Sequence, residues 1–190
     1  MSNFKTRLLA ATAALVLGLG LAASTMPAFA QDDPMVGGAA MYPTKTIVQN
    51  AVNSADHTTL VAAVKAAGLV DTLSGPGPFT VFAPTNEAFA KLPPEAVPML
   101  LKPDNKQMLV KVLTYHVVAG RLSSADLMAD IQAGNGKATL TTVEGEPLIV
   151  TSDGQTITLT DVKGDASKIT IADVNQSNGV IHVVDTVLMP

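Results

Sequence analysis

Cysteine is absent from the 190-residue chain, and so is tryptophan. Without a thiol there is no disulfide framework, no thiolate nucleophile, no zinc–thiolate centre and no cysteine to carry a lipid. Tyrosine occurs twice and phenylalanine five times, so the exposed aromatic faces on which sugars stack are scarce. Basic residues are also few, 12 Lys and Arg against 16 Asp and Glu. With no basic block, binding to a nucleic-acid backbone is excluded. The three histidines, His57, His116 and His182, stand too far apart for a His-x3-His metal pattern. A Gly-x-Ser-x-Gly nucleophile elbow is missing. Gly134-Asn135-Gly136-Lys137 has Ile131 where a phosphate loop requires its first glycine. Neither a catalytic constellation nor a cofactor motif is present in the sequence.

Long apolar runs are lacking too, except near the start. Lys5 and Arg7 precede an apolar stretch from Leu8 to Ala23, and Ala28-Phe29-Ala30 gives the small-x-small pattern of a cleavage site. Residues 1–30 therefore read as a secretory signal peptide, too short and too glycine-broken for a stable membrane anchor. Export to the periplasm or the extracellular space follows. Cleavage after Ala30 leaves 160 residues with 10 basic and 16 acidic side chains, enough chain for one domain with its own core. Residues 31–43, with Asp32-Asp33-Pro34 and Gly37-Gly38, read as a flexible leader. The domain proper is expected at 44–190.

Of the five phenylalanines, Phe4 and Phe29 leave with the signal, and Phe79, Phe82 and Phe89 crowd into "GPFTVFAPTNEAFAKLPP". Phe79 to Ala83 is β-prone, with Phe79, Val81 and Ala83 on one side and Thr80 and Phe82 on the other. Thr85 caps a following short helix whose apolar face holds Ala88, Phe89 and Leu92. The rings thus face different layers from adjacent elements, which predicts a joint in the core.

Before this stretch, apolar spacing predicts helices around Ile47–Val52 and Leu60–Ala67, with Gly68 ending the second. After it, Met108 to Leu113 reads as a helix running into a β-type Tyr115–Val118, and Ser123 or Ser124 starts another with Leu127 and Met128. From Lys137 onward the period changes to two, giving strands at 138–143, 148–150, 156–160, 169–171 and 180–184. Helices followed by antiparallel strands predict an α+β fold. His116 among apolar neighbours reads as a buried neutral imidazole, His182 as a strand residue, and His57 as a solvated helix start.

Three segments in order, "TVFAPTNEAFAKL", "LTYHVV" and "SNGVIHVVDTVLMP", resemble the fasciclin domain family. The "GGAAMYP" leader resembles that of its small single-domain bacterial members. The resemblance implies a wedge-shaped β-sandwich with helices packed along one edge. It implies a non-catalytic role in adhesion or recognition, with a protein or extracellular polymer as partner. By the same resemblance Tyr115 and His116 match one partner-binding region. Asp173 and Val174 match a second, where the family has Asp-Ile. The structural positions it implies are Phe79, Phe82, Thr85, Asn86, Phe89, His116, Gly179 and His182, with His116 tied near Thr85 or Asn86. Some fasciclin-like proteins bind carotenoids, which makes a carrier of a small apolar ligand, such as a carotenoid or lipid, the alternative expectation.

Overall fold

A computed structural model describes residues 33–190; the signal-like segment 1–30 and the start of the leader lie outside the described residues. The leader that follows is more ordered than its composition predicts. Met35–Val36 (β1) pairs with Ala39–Ala40 (β2) around Gly37-Gly38. Val36 and Met41 are buried in the main core. These two apolar side chains, with hydrogen bonds from the Ala55 amide to the Gly37 carbonyl and between the Tyr42 backbone and Asn50, fasten the end of a tether that looks polar on average.

The helical part begins at Thr46, whose hydroxyl accepts the Gln49 amide in a reciprocal capping box and starts α1, Ile47–Ala51. Thr58–Ala67 (α2) buries Leu60, Ala63, Val64 and Ala67, one stripe at helical spacing, and stops at Gly68 with φ of 75°. Val70–Ser74 forms α3, a short helix with Leu73 buried. The strand Phe79–Pro84 (β3) comes next, then α4 (Asn86–Ala90), capped by the Thr85 hydroxyl. Ala96–Leu100 (α5) and Lys106–Tyr115 (α6) complete this layer. Tyr115 closes α6 instead of opening a strand, and His116 sits in its cap, so β4 is only Val117–Ala119. The last of the helices, α7 (Ser124–Ala133), starts from a capping box made by Ser123 and Asp126. Five strands follow: β5 (Lys137–Thr141), β6 (Pro147–Ser152), β7 (Ile157–Thr160), β8 (Ala166–Gln176) and β9 (Gly179–Val184).

The sheet order is β4-β3-β9-β8-β7-β6-β5, with β3 and β9 parallel and every other pair antiparallel. A bridge between Val118 and Thr142, and a 2.7 Å hydrogen bond from the Val143 amide to the Val117 carbonyl, join the two ends. The sheet therefore curls almost into a barrel. Strand β8 is much longer than the 169–171 stretch that alternation reveals. Register shifts between Ile169 and Val174 break the period of two and hide its continuity.

The curled sheet separates two cores. Val81 and Ala83 turn outward to the helical layer with Leu60, Val64, Phe89 and Leu113, while Phe82 turns inward to Tyr115, Leu127 and Leu159. The alternation read from β3 is what divides them. Gly179 explains why the final strand begins with glycine. A Cβ there would collide with the Phe79 carbonyl, across the first rung of the parallel β3–β9 pair. Beside it, buried Asn178 donates to the Leu73 and Gly75 carbonyls and accepts the Ile47 amide at 3.0 Å, pinning α1 and α3 to the sheet.

Candidate functional site

Tyr115 and His116 arrive at the centre of the molecule on the last turn of α6. Tyr115 is fully buried, and its hydroxyl donates to the Pro147 carbonyl at 2.9 Å. In His116, Nδ1–H donates to the Val112 carbonyl at 2.8 Å, and Nε2 accepts the Leu188 amide at 3.0 Å. One nitrogen donates and the other accepts, so the ring is a neutral imidazole of fixed tautomer. Burial pushes its pKa down to about 4, against the opposing influence of the Val112 carbonyl and the Asp161 charge. The contact that His116 makes is with the C-terminal segment. Thr85 and Asn86, its expected partners, are occupied elsewhere. Thr85 caps α4, and the Asn86 side chain accepts from Thr58 and Thr59 and donates to the Ala55 carbonyl.

Asp173 and Val174 lie 57 residues further along, in the bulged part of β8. Val174 is 1% exposed, packed in the core on the helical side of the sheet. Asp173 adopts φ of 58°, a left-handed conformation that aspartate tolerates better than most residues. That geometry aims its carboxylate at α7, where it accepts the Ser124 amide at 2.7 Å and the Ser124 hydroxyl. Asp173 thus caps the start of α7 from across the sheet, where a negative charge also suits the helix dipole. Its own amide donates to His182 Nδ1 at 3.3 Å, and His182 Nε2–H donates to the Leu122 carbonyl at 2.8 Å. His182 is fully buried in β9 and stacked on Phe82, with ring centroids 5.7 Å apart; burial lowers its pKa.

Ser124, Asp173 and His182 are the ingredients of a hydrolytic relay, but they are not wired as one. The serine hydroxyl points to the carboxylate, and both imidazole nitrogens face backbone groups, so the imidazole does not reach the hydroxyl. Removing the cap should be visible in stability. Asp173→Ala is expected to cost about 1–3 kcal/mol in a urea melt, because it strands two α7 donors and strains the left-handed backbone. Asp173→Asn, which keeps an acceptor and tolerates φ above zero, should cost less than half as much; equal losses would refute the capping role.

His57 differs from expectation. It is buried, with Nδ1 and the Ser54 hydroxyl 2.9 Å apart, and its pKa is lowered by burial. Its Nε2 is buried without a hydrogen-bond partner. Arg121 is a residue that sequence alone does not single out. The Arg121 guanidinium donates to the Gln176 and Gly179 carbonyls, at 2.6 and 2.7 Å, and so clamps the β8–β9 turn. Helix capping is legible at Ser123, but its cross-sheet partner is not.

Between α1, α2, α3 and β3 lies an apolar recess of about 40 Å³. Drug-sized ligands occupy pockets of roughly 300–1,000 Å³, so this recess does not enclose a carotenoid.

The fasciclin domain description matches residues 55–190. Protein sll1483 of Synechocystis sp. is 44% identical over 188 residues, which cover 97% of this chain and 96% of that protein. Cell surface glycolipoprotein MPB83 of Mycobacterium bovis is 39% identical over 123 residues, 64% of this chain and 48% of its own length. Among solved structures, the fasciclin domain pair of the insect cell adhesion molecule fasciclin I superposes with a TM-score of 0.69 at 20% identity, over 77% of this chain and 51% of that one.

Proposed function

The chain belongs to the fasciclin domain family, and from that premise we propose that it is a non-catalytic, exported adhesion or recognition module. Its partner is a protein or an extracellular polymer at the cell surface or in the envelope. One observation carries the reading: the side chains of Tyr115, His116, Asp173 and His182 are consumed in internal bonding. They each hold one element to another, and their role here is to support the docking faces from beneath. A cell surface protein and a cell adhesion molecule among the similar proteins agree with such a role. No described helix is long and apolar enough to cross a membrane.

Exposed apolar side chains supply the docking faces. Tyr42 and Val52 are 43% and 48% exposed beside α1, with Lys45 over the Tyr42 ring, and Met99 and Met108 are more than half exposed on α5 and α6. Deleting the gene is expected to lower surface attachment or cell aggregation, and the full chain should restore it. Restoration should fail with either Tyr42→Ala plus Val52→Asp or Met99→Asp plus Met108→Asp. Such surface changes leave stability within about 0.5 kcal/mol. Attachment and aggregation that stay at parental levels in the deletion strain would overturn the reading.

A further inference from the structure

Strand β8 outruns its neighbour. It pairs with β7 through Ala166, Ser167 and Lys168, and no further, because β7 begins at Ile157 and the chain before it turns back into β6. Among the described residues, no strand lies beside β8 on that side from Ile169 onward. The register shifts leave Thr170 and Ala172 without a partner residue in β9 as well. This edge is not covered. It opens into a groove of about 340 Å³, to which α7 contributes Ser124 and Met128, the β6–β7 turn Thr156, and β8 itself Ile169, Thr170 and Ala172. Thr170 is exposed, and Ile169 and Ala172 are half-buried. Unpaired main-chain groups at an accessible strand edge are a template for another strand.

We infer that this groove binds an extended, uncharged polypeptide segment, which adds to the β8 edge as a short strand. The chemistry of the groove selects that occupant. Among the described residues none that lines it is charged, so it complements a neutral chain and offers a polyanion or polycation no opposite charge. None is aromatic either, which removes the stacking platform that a sugar needs. Threonine and serine beside isoleucine and methionine suit a strand whose side chains alternate in polarity, with main-chain hydrogen bonds supplying the affinity. The free stretch from Ile169 to Ala172 is four residues, about 13 Å of extended chain, and it accommodates a partner segment of similar length. Asp173 and Val174 take no part, since the first is bonded to Ser124 and the second is packed in the core. The inference names a partner class for the recognition role and rests on that reading for its biology.

The test titrates an acetylated and amidated heptapeptide of alternating threonine and valine into the full chain and follows backbone amides by NMR. The Thr170 and Ala172 amides should shift saturably, and their hydrogen exchange should slow about tenfold at saturation. Two further peptides, N-methylated at the valines or at the threonines, separate main-chain pairing from side-chain contact. Successive amides of a strand point to opposite edges, so one version turns its methyl groups toward β8 and should bind about tenfold more weakly. The other turns them to solvent and should bind as the parent does. Ala172→Phe, which fills the groove, should block binding; the N-methylated pair needs no altered protein and decides the matter if that variant does not fold. The inference is overturned by no shift at Thr170 and Ala172, by equal binding of the two N-methylated peptides, or by a response to maltohexaose in place of the peptide. Amides already protected in a chain that sediments as a dimer would assign the edge to a second copy and likewise overturn it. Attachment of the deletion strain reads the recognition role by itself, so failure of the groove and failure of that role are told apart.

Discussion

Phe82→Ala is expected to lower the free energy of unfolding by about 3–5 kcal/mol, the cost of truncating a fully buried phenylalanine in a core that cannot collapse around it. The ring has no exposure, lies inside the curled sheet and stacks on His182. Its neighbours cannot readily move inward. Strand β3 is hydrogen-bonded to β4 on one side and β9 on the other, and α7 is fixed at its start by the Asp173 cap. Removing the ring also deprives the His182 imidazole of its stacking partner, while its two backbone hydrogen bonds still hold it in place. Phe89→Ala should have a smaller effect, since that ring is 8% exposed and sits in the helical layer on a five-residue helix. Denaturant melts of the two variants give the comparison. A loss below about 1.5 kcal/mol for Phe82→Ala, or a larger loss for Phe89→Ala, would show that β3 is not the joint between the two cores.

That joint was legible because two periods meet in one stretch of sequence. Alternation along Phe79–Ala83 assigns Val81 and Ala83 to one layer and Phe82 to another, and the structure places them so. The α+β class and the later strands follow from the switch to a period of two, and the family from three segments in order. What the sequence hides is geometry that breaks periodicity or spans distance. Strand β8 looks short because its register shifts fall in the middle. The leader looks free because its buried side chains, Val36 and Met41, stand among small and polar residues and its other ties are backbone groups bonded to Asn50 and Ala55. Asp173 illustrates distance. Its role as a cap depends on Ser124, 49 residues away, and on a left-handed backbone that no composition announces. The His116 partner is the backbone amide of Leu188, and a backbone group leaves no signature in the identity of a residue.

Acid should unfold this protein earlier than its carboxylates alone would require, because all three histidines resist protonation in the folded state. Above pH ~6.5 the imidazoles are neutral in both folded and unfolded chains, and they make stability neither rise nor fall. As the pH drops from 6.5 toward about 4, the unfolded chain takes up a proton that buried His116 refuses. The unfolded state then binds more protons, so stability declines with falling pH, and the decline is complete only below the folded pKa. A depression from 6.5 to about 4 corresponds to roughly 3 kcal/mol for His116 alone. His57 and His182 act in the same direction, both lowered chiefly by burial. The lowered carboxylates Asp126, Asp153 and Asp185 add to the loss only at more acid pH, since their ordinary value is already 3.8. Protonation of His116 would also place a second N–H against the Leu188 amide, turning a hydrogen bond into a clash of donors. Urea melts between pH 7.5 and 4.5 should therefore show a steady fall in unfolding free energy over a window where carboxylates contribute little, roughly the range about the histidine reference value. In His116→Gln the absolute stability drops at neutral pH, but the slope should flatten toward that set by His57 and His182. A histidine ring resonance that titrates near 6.5 in the folded protein, or a slope unchanged by His116→Gln, would show that His116 is not the buried neutral link between α6 and the C-terminal segment.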